Sequence, residues 1–308
     1  GFCATGQAGF TRHLTAGEIV EQVVRASQRA KAMDRRVSNV VYMGMGEPLA
    51  NEEPVWESIV RLHEDVGLSA RHLTVSTVGI IPGINRLASR PLPVNLAVSL
   101  HAANDNLRDA LVPINRRYPI KALMEACNGF LESKNRRLTF EWALIDGVND
   151  RPSDAIELAQ IGRSFRGPAH VFLIPLNPTP GYEVRGSSRN QVQAFCDQLV
   201  GMGANATIRR NRGTDIAAAC GQLAAGQPVA TPADSPAATA RPAALPSLAH
   251  HASPAAADPH RYVHFENLTG SLSVPAAAVG FTIQYAMGAT ATFSTSAVLS
   301  AMVGTHVL

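Results

Sequence analysis

The fold of this chain is decided by the stretch Asn39-Val40-Val41-Tyr42-Met43-Gly44-Met45-Gly46-Glu47-Pro48. Its first half is a short, mostly apolar run without the alternation of polar and apolar side chains that marks a half-exposed strand. Such a run is typical of a buried strand in a parallel sheet. The glycines that follow open a tight turn that carries the carboxylate of Glu47. The stretch therefore predicts a buried strand that leads into a glycine turn.

Strand-like and helix-like segments alternate along the rest of the chain. Thr15-Ala16-Gly17-Glu18 has the spacing of a capping box, and apolar residues recur at helical intervals from there to about Met33. Further helices are expected at 54–66, 84–89, 119–133, 153–165 and 187–201, and further strands at 73–77, 94–99, 137–144, 171–175 and 206–209. This alternation predicts an α/β fold with a parallel sheet covered by helices, either open or closed into a barrel.

Polar and glycine-rich motifs follow the carboxyl ends of the predicted strands. Gly44–Pro48 follows the first strand, Ser76 ends the second, Ser99-Leu100-His101 ends the third, and Asn177 follows the strand at 171–175. Each motif alone has an ordinary explanation as a turn, a capped strand end or a proline-stiffened connection. Barrels and open α/β sheets both bind ligands at this edge. Together the motifs predict a single ligand-binding edge.

Four cysteines are too few and too scattered over 308 residues for a disulfide framework. Cys3 lies among small residues and glycines, and Cys220 lies between Ala219 and Gly221, so that a bulky partner could approach either thiol. A free terminal thiol and a buried structural cysteine are the competing explanations for these two. Cys127 and Cys196 fall on predicted helix faces, where we expect buried structural cysteines.

The order and spacing of these motifs resemble the dual-specificity ribosomal and transfer RNA adenine-carbon-2 methyltransferases, a family of radical S-adenosylmethionine enzymes. The resemblance covers roughly residues 1–225 and implies a partial (β/α)6 barrel that lacks its first strand, followed by a low-complexity tail. It implies a [4Fe-4S] cluster with Cys3 as a ligand, and Cys220 as a methyl-carrying cysteine. The residues that it implies for contacts with S-adenosylmethionine are Gly46, Glu47, Ser76, Ser99, Leu100, His101 and Asn177.

The chemistry of that family explains the need for such residues. Carbon 2 of adenine is not nucleophilic, so the family's cysteine, matched here by Cys220, first accepts a methyl group as a thiolate. A radical made from a second S-adenosylmethionine then removes a hydrogen atom from that methyl group, and the resulting carbon radical adds to adenine. The implied partners are 23S rRNA, tRNA and an external electron donor, and we expect a monomer in the cytoplasm.

Two other functions remain open. A sibling radical enzyme that methylates carbon 8 of adenine uses nearly the same motifs, although Pro48 after Gly46-Glu47 favours carbon 2. A non-catalytic remnant that binds RNA or cofactor is the second alternative. The formal net charge of +3 is too small to indicate a nucleic-acid binder by itself. Local basic groups at Arg116-Arg117, Arg136-Arg137 and Arg209-Arg210 are interpreted either as phosphate contacts or as solvated loop and helix ends.

The sequence divides into three parts by composition. Residues 1–226 carry the motifs and form the expected methyltransferase core. Residues 227–266 are rich in Ala and Pro and are expected to form a disordered linker. Residues 267–308 contain no Asp, Glu, Lys or Arg and have no assigned role. Frequent Ser, Thr and Gly and the lack of flanking basic residues disfavour a membrane span in this tail. A read-through or frameshifted tail, or a strand-forming segment prone to aggregation, explains it at least as well.

One departure from the family concerns the cluster. Three protein cysteines normally hold it, and this sequence has only Cys3 in the corresponding stretch. We expect the other two, with the family's amino-terminal domain, general base and resolving cysteine, to lie upstream of residue 1. On this interpretation the chain is a fragment and is inactive alone.

Anaerobic reconstitution of the 308-residue chain with iron and sulfide is expected to give no stoichiometric cluster, because a single cysteine of the motif cannot hold four irons. Iron and sulfide analysis with visible absorption measures the outcome. The matched control is the same chain extended by a CxxxC segment before Gly1. Four irons and four sulfides bound to the unextended chain would contradict the expectation.

Overall fold

The computed structural model describes residue 10 and residues 12–165, 169–176 and 184–209, together with the backbone of two short strands at 281–285 and 303–305. The strands are β1 (Val37–Tyr42), β2 (Leu73–Thr77), β3 (Asn95–Ser99), β4 (Leu138–Leu144), β5 (Ala169–Pro175), β6 (Ala206–Ile208), β7 (Phe281–Tyr285) and β8 (Val303–Thr305). The α-helices are α1 (Ala16–Ala32), α2 (Glu52–Glu64), α3 (Ile81–Ser89), α4 (Asp105–Leu111), α5 (Ile120–Lys134), α6 (Pro152–Arg163) and α7 (Arg189–Gly201). Short 3-10 helices lie at Pro48–Ala50, Ala70–His72 and Pro113–Arg116.

One sheet joins all of these strands, in the order β6-β5-β4-β3-β2-β1-β7-β8. Strands β1 to β6 are mutually parallel and neighbour each other in chain order. Strand β7 pairs with β1 in the antiparallel sense, and β8 pairs with β7 in the parallel sense. The parallel α/β sheet predicted from the sequence is confirmed.

The helix that opens the core begins where the capping box predicts. The Thr15 hydroxyl accepts a hydrogen bond from the Glu18 amide, and the Glu18 carboxylate accepts one from the Thr15 amide at 2.9 Å. Helix α4 was not predicted, because seven residues are too short to show helical periodicity. Its start is marked by Asn104, whose side chain accepts a hydrogen bond from the Leu107 amide at 3.0 Å.

The two faces of the parallel sheet differ in polarity because alternate residues of a strand point to opposite sides. One face packs on the helices, as where Trp142 meets Phe195 of α7 and the Tyr42 hydroxyl meets Ser58 of α2 at 2.8 Å. Its buried residues include Val40, Tyr42, Leu73, Val75, Leu96, Val98, Leu138, Phe140, Trp142, Val171 and Leu173. The opposite face, which we call the inner face, carries Ser76 and Ser99 together with Asn39, Thr74, Asn95, Thr139, Glu141, His170 and Thr207.

The sheet curls around its inner face. Strands β1 and β6 are the outermost of the six parallel strands. Yet Nη1 of Arg209, just after β6, lies 3.6 Å from Sδ of Met43, just after β1. The six parallel strands therefore form a half-barrel with the helices outside, which confirms the predicted partial barrel.

Cys127 and Cys196 are free and buried on α5 and α7, as predicted. Burial raises the pKa of the Cys127 thiol to about 12, so it is not a nucleophile at neutral pH. The expected linker at 227–266 lies outside the described residues, as does all of 267–308 except β7 and β8. Within the described part of the chain, none of the helices has the length and apolar character needed to cross a membrane.

Gly83 tests the packing that seats the turn after β1. A Cβ at this position in α3 would lie 2.7 Å from Cβ of Leu49, so Gly83→Ala should lower the free energy of unfolding by about 1–3 kcal/mol. Gly129→Ala in α5 is the control, because in the described part of the chain nothing beyond its own helical backbone and chain neighbours lies within 4 Å of the added Cβ, and it should stabilise by about 0.5–1 kcal/mol. Urea denaturation compares the two. Equal effects of both substitutions would contradict this account of the packing.

Candidate functional site

The glycine turn after β1 is held by its own carboxylate. Gly46 has a φ of 97°, in the left-handed region that favours glycine. The Glu47 carboxylate accepts a hydrogen bond from the Leu49 amide at 3.0 Å through Oε1, and one from the Val78 amide at 2.8 Å through Oε2. Burial raises the pKa of Glu47, and the hydrogen bonds from these amides oppose the rise. The side chain thus ties the turn after β1 to the turn after β2.

The turn after β2 begins beside Ser76, a buried residue of the inner face. The Thr77 hydroxyl accepts hydrogen bonds from the amides of Gly79 at 3.0 Å and Ile80 at 3.3 Å, which closes the turn. Gly79 has a φ of 109°, and an added Cβ would lie 3.2 Å from the side chain of Leu123. A glycine is therefore required at this point of the edge.

The segment after β3 divides its residues between the two faces. Ser99 is half-buried on the inner face, whereas the Leu100 side chain belongs to the hydrophobic core. Any contact of Leu100 with a ligand in front of the inner face would therefore use its backbone. His101 has a φ of 60°, a conformation that costs a non-glycine residue of order 1–3 kcal/mol and has to be imposed by its surroundings.

His101 is locked by its hydrogen bonds and is neutral. Its Nδ1 accepts a hydrogen bond from the Ala143 amide at 3.0 Å, and its carbonyl accepts one from Nδ2 of Asn149 at 2.8 Å. Burial lowers the pKa of His101 to about 3, with the charge of Arg108 adding to the effect. The imidazole therefore carries no charge near neutral pH.

Arg108 of α4 is the main support of this edge, and the motif analysis did not single it out. The side chain is fully buried. Nη2 donates to the carbonyls of Val78 at 2.7 Å and Ser99 at 3.3 Å, and Nε donates to the carbonyl of Leu100 at 3.1 Å. Desolvation lowers the pKa of Arg108 to about 10, so it remains charged at neutral pH. One guanidinium thus holds the ends of β2 and β3 together.

Asn115 orients Arg108. Its Oδ1 accepts from Nη1 of Arg108 at 2.9 Å, and its Nδ2 donates to Asp105 at 2.9 Å and to Asp109 at 2.7 Å. The charges of Asp105 and Asp109 oppose the lowering of the Arg108 pKa, and Asn115 links both carboxylates to the guanidinium.

Asn149 plays the same part for the end of β4. Its Nδ2 donates to the carbonyls of His101 at 2.8 Å and Ala143 at 2.7 Å, and its Oδ1 accepts from the Ile145 amide at 2.8 Å. The residue is completely buried. Asn149 was not singled out from the sequence, because an Asn shortly after a predicted strand also fits an ordinary turn.

The structure brings part of the predicted site together. Gly46 and Glu47, Ser76, and the segment Ser99–His101 lie at the carboxyl ends of three adjacent strands. The strand before Asn177 ends at this same edge, but Asn177, Cys3 and Cys220 lie outside the described residues. In the described ranges no group of three or more His, Cys, Asp or Glu could hold a metal ion.

The basic groups are not all solvated. Arg209, interpreted from the sequence as a phosphate contact or a solvated loop residue, has a side chain only 12% exposed and pairs with the buried Glu141. The expectation of a solvated loop end is therefore wrong for Arg209. Sequence spacing held no signal for this pair, because the two residues are 68 positions apart.

Known proteins similar to this chain agree with the geometry. The family model described as the Radical SAM superfamily matches residues 1–159. The "Probable dual-specificity RNA methyltransferase RlmN" of Chloroflexus aurantiacus is 50% identical over 234 residues, which cover 72% of this chain and 62% of that protein. The protein of the same name from Roseiflexus castenholzii is 43% identical over 269 residues, covering 73% of this chain and 67% of that protein.

A solved structure shows the same architecture. A radical SAM methyltransferase from Sphaerobacter thermophilus is 51% identical, with a TM-score of 0.69, and the match covers 72% of this chain and 65% of that one. The chain spans about 62% of the length of the Chloroflexus relative and 55% of the Frankia alni relative that it also matches. The chain belongs to the radical S-adenosylmethionine superfamily and, within it, to the family of the RlmN RNA methyltransferases.

Proposed function

We propose that this chain is the core of a methyltransferase that acts on carbon 2 of adenine in 23S rRNA and tRNA, through a methylated Cys220. The observation that carries the proposal is the junction of three strand ends at one edge. Glu47 joins the turns after β1 and β2, and Arg108 joins the ends of β2 and β3. This edge is where parallel α/β sheets bind their ligands.

The described residues fit the polar, bulky cofactor that this superfamily uses, S-adenosylmethionine. Gly46 leaves backbone open to close approach, and Ser76 and Ser99 offer hydroxyls on the inner face beside it. His101 is held neutral at the same edge, so it serves as a fixed wall and hydrogen-bonding group and not as an acid or base at neutral pH. Asn177, which follows β5 closely in sequence, is assigned to the same ligand.

When bound, S-adenosylmethionine and a [4Fe-4S] cluster supply the methyl group and the one-electron chemistry that an unreactive aromatic carbon requires. Cys3 is assigned as one of the protein ligands of the cluster. On this proposal the 308 residues are inactive alone, because Cys3 by itself cannot hold a four-iron cluster, and the reaction needs an external electron donor.

Cys220 is assigned the role of the residue that carries the methyl group to adenine. Its thiolate would attack the methyl carbon of the sulfonium, forming a cysteine S–CH₃ bond and displacing the neutral thioether S-adenosylhomocysteine, since Cys is the strongest side-chain nucleophile near neutral pH. Ala217-Ala218-Ala219 before it and Gly221 after it have small side chains, which leave room first for a cofactor and then for a purine. Arg212-Gly213 lies upstream, where glycine permits the segment to turn.

Glu47→Gln tests whether the carboxylate bridge shapes the cofactor site. An amide keeps one acceptor but turns an NH₂ toward the Val78 or Leu49 amide, so S-adenosylmethionine should bind about tenfold more weakly. Glu57→Gln is the control, because among the described residues Glu57 makes only an exposed ion pair with Arg61 on α2. Equilibrium dialysis measures both. Unchanged affinity for S-adenosylmethionine in Glu47→Gln would show that the hydrogen bonds of the Glu47 carboxylate do not contribute to cofactor binding.

Cys220 should be recovered as S-methylcysteine from cells that express this chain extended by a CxxxC segment before Gly1, whereas Cys127 and Cys196 should remain unmodified. Peptide mass spectrometry reads the three thiols in one digest. Cys220→Ala should leave the iron content unchanged and abolish adenine methylation, because no other group holds the methyl carbon.

Nucleoside analysis of the modified RNA completes that experiment. The proposal expects 2-methyladenosine in 23S rRNA and tRNA. Detection of 8-methyladenosine instead would refute the carbon-2 assignment in favour of the carbon-8 activity. An unmodified Cys220 in an enzyme that still methylates adenine would refute the methyl-cysteine route.

A further inference from the structure

The inner face carries a buried ion pair that no step above uses. Glu141 lies in the middle of β4 and is 3% exposed. Nη1 of Arg209 donates to its Oε2 at 3.1 Å, and the guanidinium lies 5.6 Å from the ring centre of Phe172 on β5. The pair is therefore enclosed between β4, β5 and the end of β6.

The pair lies next to the candidate cofactor residues. Ser99 is the partner of Glu141 in the register of β3 and β4, so the carboxylate and the Ser99 hydroxyl are on neighbouring strands of the same face. Nη1 of Arg209 also contacts Sδ of Met43, which leads directly into the turn that contains Gly46. The pair thus connects both sides of the half-barrel just below its ligand-binding edge.

Stability alone does not explain a charged pair at this place. Two charges that leave water lose several kcal/mol of solvation each, and apolar residues of similar volume are often as stabilising or more so. Burial accordingly raises the pKa of Glu141, while the charge and hydrogen bond of Arg209 oppose the rise. An ion pair differs from apolar side chains in that its hydrogen bonds are directional. They fix the distance and angle between the elements that the pair joins.

Arg209 also retains donors for a further partner. Within the part of the chain that the structure describes, Nη1 makes both of the hydrogen bonds of this side chain. A guanidinium has five N–H groups, so those on Nε and Nη2 are available to a ligand or to residues outside the described ranges.

We propose that Glu141 and Arg209 are positioning residues for the cofactor, which fix the spacing between the turn after β1 and Ser99 by bracing β4, β6 and Met43 across the inner face. The proposal rests on the proposed function, since it assigns a role in binding S-adenosylmethionine. It makes neither residue a catalytic residue, because neither is placed against the reacting atoms.

A double-mutant cycle in the full chain tests this role. Glu141→Gln and Arg209→Met should each weaken S-adenosylmethionine binding about tenfold, and the double variant should be no weaker than either, because both changes remove one interaction. Equilibrium dialysis gives the dissociation constants, and thermal unfolding without cofactor gives the stability of each variant. Glu57→Gln, in the exposed pair with Arg61, should leave the affinity unchanged.

The variant Glu141→Leu with Arg209→Met separates positioning from stability. An apolar pair of similar volume should restore the unfolding temperature but not the affinity for S-adenosylmethionine, because apolar packing does not fix the relative orientation of the elements that it joins. Recovery of both, or affinities within about twofold of the unmodified chain in every variant, would overturn the proposal. An unmodified chain that does not bind S-adenosylmethionine would instead refute the proposed function, and this inference with it.

Discussion

The carboxyl edge of the sheet depends on buried side chains that satisfy backbone groups beyond the last strand pairs. Where parallel strands end, their amides and carbonyls lose their partners, and a buried backbone group without a hydrogen bond costs about 1–3 kcal/mol. Arg108 supplies donors to the carbonyls of Val78, Ser99 and Leu100, and Glu47 supplies acceptors to two amides. With these hydrogen bonds, the turns leave the sheet without burying unpaired backbone amides and carbonyls at its edge.

The two buried arginines solve different problems. Arg108 donates to three backbone carbonyls and to the side-chain oxygen of Asn115, which in turn binds Asp105 and Asp109. The guanidinium therefore holds backbone in place. Arg209 meets a carboxylate directly and spans the inner face from β6 toward β1. The first fixes the shape of neighbouring turns, and the second fixes how far the sheet curls. A rigid edge on a curled sheet is what a bulky ligand with several polar groups requires.

The sequence was most informative for elements whose buried residues or caps are close together along the chain. Apolar runs such as Val40–Tyr42 and the capping box at Thr15 are local signals, and the strands and helices that they predicted are present. The motif turns lie at the carboxyl edge of the sheet, as predicted, because the strands before them were located from such local patterns. Helix α4 was missed because its seven residues form barely two turns.

The supports of the site were not predictable in this way. Arg108 contacts Val78 across 30 positions, and Asn149 contacts His101 across 48. A polar residue in such a contact looks in sequence like any solvated residue, as Arg209 did. Glu47 was expected to contact S-adenosylmethionine, and the structure adds that its side chain is occupied in shaping the turn. These contacts arise only once the sheet has formed, so local pattern carries no trace of them.

We propose that one edge of the sheet, from Gly46 to His101, binds S-adenosylmethionine. Amide hydrogen exchange of the chain with and without this cofactor tests it most directly. Slower exchange is expected at residues 44–47 and 99–101, with no change in α6 or at the amino ends of the strands. Protection confined to the opposite end of the sheet, or none at a cofactor concentration that saturates binding, would contradict it.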